Sequence, residues 1–386
     1  MRSIVLLAAF ALVPTSSLAQ DAPPAEQLAI GIEEVRGRVG RAAEWLVTTQ
    51  RPDGAWGSGA ADSVQWLVFS VETFYAFQYA ANSLAFLALG AVDSTEQRAA
   101  ASKRALEWLT TSRMPKRGND WDVDCSWAAL YGFQAMVAAA KDTAFQSAEW
   151  KERVERRGRE LFALLEHNQE PLGGWGYYEG PVVSQRPTWS TSFATACVIP
   201  SLMKARELGW AADPAVLERA VRYVEQCRLP TGAYMYDLRP IPRRAGESID
   251  NVKGSLGRIQ VGNWALRRAG RKQITDDVLR EGLASFFEHH EFLDVARMRP
   301  IPHEAYYANA AYFYMFGHCY AGQVINELPE AERAAWHKKL RTHLAKIQWA
   351  DGSSLDFPNM SCMQTAGTAF SILAFQAGVP GAPSRL

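Results

Sequence analysis

Apolar positions recur at helical spacing along most of the chain, and they mark two kinds of segment. In the first kind an apolar stripe runs beside a polar face. Residues 26–49, with Val35, Val39, Ala43, Trp45 and Leu46, are the first example, followed by 95–111, 149–168, 214–227, 275–290 and 329–348. In the second kind almost every position is apolar or small: 71–89, 125–140, 190–208, 256–268, 306–325 and 364–377. A helix apolar on every side must be buried on every side, whereas a striped helix covers a core and faces water. The two kinds alternate, and six striped helices therefore pair with six buried ones.

Gly-rich turns separate the members of most pairs, as in Gln50–Gly57 and Gln169–Trp175. A single helical hairpin cannot bury its apolar face, so such units must pack on one another. Six hairpins with both sets parallel can close on themselves and leave no exposed end. The expectation is an all-α fold, an (α/α)6 toroid, with the apolar helices as inner ring and the striped ones as outer sheath. No alternating strand pattern of useful length interrupts it. Residues 298–303 read as a connector, and the polar stretch 239–254 reads as a lid or an insertion.

Composition narrows the function classes. Of 386 residues, 48% are apolar and 21% charged, with 41 basic and 41 acidic side chains, so nothing draws the chain generally toward nucleic acid or an anionic membrane. Residues 1–20 carry a basic residue, a short apolar run and the small-residue end Ser17-Leu18-Ala19, the pattern of a secretory signal. The expected organisation is a signal peptide over 1–20 and one toroid domain over 21–386, secreted or periplasmic, with no stable membrane span. Cys125, Cys197, Cys227, Cys319 and Cys362 are odd in number and widely spaced, which does not suit a disulfide framework.

The turn spacing carries a resemblance. Gln50-x-x-x-Gly54-x-Trp56 and Gln169-x-x-x-Gly173-x-Trp175 resemble the Gln-Trp repeats of the squalene-hopene and related terpene cyclases, which share an α/α toroid with protein prenyltransferase β subunits. Gln348/Gly352 is a copy without the Trp, and Gln226/Gly232 a degenerate one. The Gln amide suits free backbone groups at a helix end, and the Trp suits packing across the next hairpin. Asp122-Val-Asp124-Cys125 resembles the cyclase segment whose middle acid protonates an alkene or epoxide, with Cys125 where that family has a further Asp. The resemblance implies Asp124 as proton donor with Asp122 beside it. Read without it, either aspartate could cap the helix that follows. Phe316-Gly-His318-Cys319-Tyr320 is similar to the prenyltransferase segment whose His binds zinc, but no complete zinc set is apparent, and neither metal nor other cofactor is expected.

Parallel inner helices would bring their N-termini to one rim, where free N–H groups and helix dipoles would favour an anion. Candidate catalytic residues there are Asp124, Asp122, His303 and Glu304; candidate binding residues are Trp121, Trp127, Arg186, Trp189, Arg258, Tyr306 and Tyr307. Three functions compete. The first is a terpene-cyclase-like protein acting on or binding an isoprenoid lipid, with acid-initiated cyclisation; the second is a secreted polysaccharide lyase or hydrolase; the third is a noncatalytic scaffold for lipid or glycan. A deep, aromatic-walled, apolar cavity around Asp124 favours the first, and a long groove with several arginines favours the second.

Overall fold

The computed structural model describes residues 30–59, 70–117, 124–177, 187, 189–210, 213–238, 249–358, 360–383, 385 and 386. The leader, Asp122, Trp121, Arg186 and most of the 239–254 stretch lie outside the described residues.

Thirteen α-helices are described: α1 Ile32–Thr49, α2 Val71–Gly90, α3 Glu96–Thr111, α4 Ser126–Lys141, α5 Ala148–His167, α6 Ser192–Glu207, α7 Pro214–Cys227, α8 Leu256–Arg268, α9 Asp276–Glu288, α10 Glu291–Ala296, α11 Phe313–Glu327, α12 Glu330–Ile347 and α13 Ser361–Gln376. Twelve of them are the alternating helices that periodicity marks. The additional one, α10, is a short helix that follows the segment expected over 275–290.

The ring closes. Each inner helix packs on the next in the order α2, α4, α6, α8, α11, α13, and α13 returns to α2. Outside them, α3, α5, α7, α9 and α12 lie on their inner partners, and α1 lies on α13. The inner helices are buried almost throughout; α2 runs uninterrupted from Tyr79 to Leu89 without an exposed residue. The outer ones bury one stripe only, such as Val154, Leu161 and Leu165 of α5.

The Gln-Trp turns are joints between neighbouring outer helices. Gln50 Nε2 donates to the carbonyls of Gly54 and of Ala101 on α3, each at 2.9 Å, while Arg104 donates back to its Oε1. Gln169 repeats this with Gly173, Val216 and Arg219, and Gln348 with Gly352 and Arg38. The Gln348 joint stitches the end of α12 to α1 and so seals the ring. Gly54 and Gly173 take positive φ against the next outer helix, where a Cβ would meet the carbonyl oxygen of Arg104 or Arg219 at 2.5 or 2.4 Å. The indoles of Trp56 and Trp175 donate to Leu46 and Leu165 at 2.7 Å, so they bind back onto their own outer helix as well as filling the core.

The fourth turn needs a correction. Its backbone bonds, Leu229 N to Ala233 O and Gly232 N to Leu229 O, match Arg51 to Ala55 and Gly54 to Arg51. This register puts Arg228, not Gln226, in the place of the joint Gln, and Tyr234 in the place of the Trp.

Candidate active site

The two rims of the toroid end their helices differently. At the rim where α3, α5, α7 and α9 begin, Thr95, Ser147, Asp213 and Thr275 cap them through side chains. At the opposite rim most inner helices begin without a side-chain cap of their own. Instead the Tyr177 carbonyl accepts from Ser126 N of α4 at 2.9 Å, and the Tyr236 carbonyl from Ser192 N of α6 at 3.0 Å. Met315 N of α11 donates to the Asp356 carboxylate at 2.8 Å. These amides are therefore not left for a bound anion, contrary to the expectation from helix direction alone.

This rim opens onto a cavity of about 270 Å³. Its wall is assembled from five inner helices: Phe77, Ala80, Ala81 and Leu84 of α2, Trp127 and Tyr131 of α4, Phe193 of α6, Phe316 of α11, and Met363, Ala366 and Phe370 of α13. Tyr177, Tyr312 and Phe357 complete the aromatic lining, and Asp124, Pro302 and His303 add the rest. Segments far apart in sequence thus share one basin because the ring closes.

Asp124 is the one acidic residue on this wall among the described residues. It precedes α4 in the left-handed region, φ 64°, a conformation that costs a non-Gly residue energy and which Asp tolerates better than most. Its backbone carbonyl accepts from Trp127 N, its carboxyl is hydrogen-bonded with the Trp127 side chain, and the residue lines the cavity. Burial among apolar groups pushes the carboxyl up to about 7, and a hydrogen bond with the Trp127 side chain opposes the shift only in part. The neutral acid is therefore kept well above the pH at which an exposed aspartate ionises.

His303 faces the same space and is also left-handed, φ 63°. Its Nδ1 lies 2.7 Å from the Ala308 carbonyl, which requires N–H there and leaves Nε2 as an acceptor. The Tyr312 hydroxyl donates to that Nε2 at 2.9 Å, and Tyr236 approaches it at 3.4 Å. Tyr236 in turn shares a short hydrogen bond with Tyr177. A patch of hydroxyls joined through one imidazole thus interrupts the otherwise apolar wall.

The sequence candidates separate clearly. Asp124, Trp127 and His303 line the cavity, and Trp189 stands behind it, edge-on to Tyr177 with its indole on Asp237. Arg258 is buried and holds the Tyr234 and Ile249 carbonyls, its guanidinium between the rings of Tyr236 and Phe313. It fastens the turn instead of facing ligand. Glu304 is exposed and pairs with Arg299 at 3.5 Å. Tyr306 is 71% exposed, and Tyr307 packs edge-on against Phe292. Neither ring is on the cavity wall. The wall residues that sequence reasoning missed are mostly phenylalanines, Tyr131 and Tyr312. An all-apolar helix carries no stripe to say which side faces the hole, but position in the first two turns would have found Phe77, Tyr131, Phe193 and Phe316.

No protein-family model and no curated protein matches this chain. Solved structures do. An inactive variant of an α-1,6-mannanase of Salegentibacter sp. HEL1_6, in complex with α-1,6-mannotetrose, is 16% identical, covers 88% of this chain and 98% of its own, and superposes with a TM-score of 0.59. A second mannanase structure of the same source gives 16% identity, the same coverage and a TM-score of 0.56. The type II terpene cyclase MstE from Scytonema is 13% identical over 89% of this chain and 98% of its own, with a TM-score of 0.49. The fold is an (α/α)6 toroid. At these identities the likeness is one of fold, and the chemistry has to be read from the cavity.

All five cysteines are buried, as apolar side chains would be. Among the described residues no helix is long and apolar enough to cross a membrane.

Proposed function

We propose that the cavity takes the hydrocarbon part of an isoprenoid lipid and that Asp124 starts its cyclisation by protonating a terminal alkene or epoxide. The observation that carries this reading is a buried carboxyl, Asp124, in a wall otherwise made of rings and aliphatic side chains. A neutral carboxylic acid in a dry site is the donor that an unactivated carbon needs. As the proton moves to carbon, positive charge develops in the chain, and the faces of Trp127, Tyr177, Phe193 and Phe316 offer electron-rich surfaces to it. The Trp127 hydrogen bond stabilises the carboxylate left behind. Loss of a proton from the last cation restores the balance, so the net reaction is an isomerisation. The leader-like residues 1–20 support export, in which case the lipid is met outside the cytoplasm.

The second reading is glycoside hydrolysis, favoured by the stronger superposition on the mannanase. Glycosidases use paired carboxylates flanking the bond, and the described wall offers Asp124 as one of them.

The experiment is incubation of the purified chain with linear C15 and C20 polyprenyl alcohols in D2O, and separately with α-1,6-mannan. The expected result is an isomeric cyclic product carrying one deuterium at the site of protonation. Release of mannose oligosaccharides with no lipid conversion would overturn the proposal in favour of the second reading.

A further inference from the structure

Outside the cavity, where α9 gives way to α10, three histidines and an aspartate meet. His290 starts α10, Asp294 lies one turn along it, His318 comes from the inner helix α11 and His343 from the outer helix α12. Donor atoms of His290, Asp294 and His343 all lie within 4.8 Å of one another.

Counting protons along this group exposes a mismatch. His318 Nδ1 is 2.7 Å from the Tyr314 carbonyl, so that nitrogen carries hydrogen and Nε2 of the neutral ring is an acceptor. His290 Nε2 stands 3.0 Å from His318 Nε2 and must be the donor. In a neutral His290 the remaining nitrogen, Nδ1, is then a bare lone pair. It points at the Asp294 carboxylate, 2.9 Å away, which is also acceptor-only. Two acceptors at that distance need a positive species between or upon them. His343 lies against His290, its ring tilted by 35° with centroids 3.6 Å apart, and brings a third donor atom to the same place.

We propose that His290 Nδ1, Asp294 and His343 bind a divalent transition-metal ion of the zinc class, with His318 as the outer partner that fixes the His290 tautomer. Two imidazoles and one carboxylate suit Zn²⁺ better than Mg²⁺ or Ca²⁺, which prefer oxygen. Three protein ligands leave a fourth position for water. A ligating histidine whose other N–H is held by a fixed acceptor is the usual supporting arrangement, here extended through His318 to the Tyr314 carbonyl. His290 is buried, but the Asp294 side chain is about half exposed, which gives the ion a path from solvent. Arg297 and Lys346 also face the group and oppose a cation, and the Tyr314 hydroxyl bonds to Asp294. The competing species is a second proton on His290, which would make the pair a simple ion pair.

Equilibrium dialysis of the full chain against Zn²⁺, with Co²⁺ as a spectroscopic probe, separates the two. The expected result is one ion per chain and visible Co²⁺ bands of a four-coordinate site. Asp294→Asn and His343→Ala should each weaken binding at least ~10-fold, and His318→Asn by about 10–100-fold, with helical circular dichroism retained. Asp294 is on the surface, so its variant tests the site even if a buried histidine variant fails to fold. No stoichiometric binding by the unaltered chain, or equal affinity in Asp294→Asn and His343→Ala, would overturn the proposal and leave His290 doubly protonated.

Discussion

The Gln-Trp joints and the Asp124 cavity lie at the same rim and use the same kinds of side chain, a polar group beside an indole. They differ in what satisfies them. Gln169 spends its amide on the Gly173 and Val216 carbonyls and receives Arg219, and Trp175 donates to Leu165. Every one of these partners is protein, so nothing is left for a ligand. Asp124 instead sets its carboxyl in a wall of rings, hydrogen-bonded with the Trp127 side chain, at a strained backbone position. A buried polar group closed by its neighbours builds the fold, whereas one turned toward open space is available for chemistry.

Changes at the two regions should therefore separate activity from stability. The largest expected effect is on turnover: Asp124→Asn should lower conversion of the lipid substrate by about 10²–10⁴-fold, read by product mass spectrometry, with the circular-dichroism spectrum unchanged. Asn suits the left-handed backbone there, so the fold should hold. Trp175→Ala should do the reverse, costing about 3–5 kcal/mol in urea unfolding while the remaining folded chain keeps its turnover. Activity lost in step with the folded fraction would agree; activity lost from fully folded chain would break the contrast.

The pH dependence of stability sharpens it further. Asp124 ionises near 3.9 unfolded and at about 7 folded. Between those values the folded chain keeps a proton that the unfolded chain releases, so ionisation of Asp124 erodes stability as pH rises, and the loss is complete above 7. The span is worth up to about 4 kcal/mol. Asp124→Asn should remove this dependence, raising Tm relative to the parent at pH 8 and not at pH 4. Gln169→Ala should cost less, about 1–3 kcal/mol, by leaving two carbonyls and Arg219 without their partner. The smallest effect is that of Trp127→Phe: loss of the indole donor should move the alkaline limb of activity, where Asp124 loses its proton, upward by about one pH unit.

The helices were legible because their two hydrophobic patterns differ so sharply, and the closed ring followed from six units that cannot stand alone. Asp124, Trp127 and His303 could be singled out because each sits just before or at the start of an apolar helix or loop, and the three share one wall. Glu304 and Tyr306 could be picked by the same rule, yet the loop turns them to solvent. Periodicity says nothing about such a loop, where Met298, His303, Tyr307 and Ala308 all take positive φ. Arg258 looked like an anion ligand but closes a turn, because a guanidinium satisfies several carbonyls at once. Of the histidine cluster only His318 carried a local signature, the segment similar to a zinc-binding one; its members come from four separate positions on three helices, and only packing brings them together.

The account rests on Asp124 holding a proton at neutral pH, and infrared difference spectroscopy of its carboxyl, assigned by subtracting the Asp124→Asn variant, measures that without any substrate. A protonated C=O band that disappears with a midpoint near pH 7 is the predicted result. A midpoint near 4, the value of an ordinary solvated carboxylate, would contradict it.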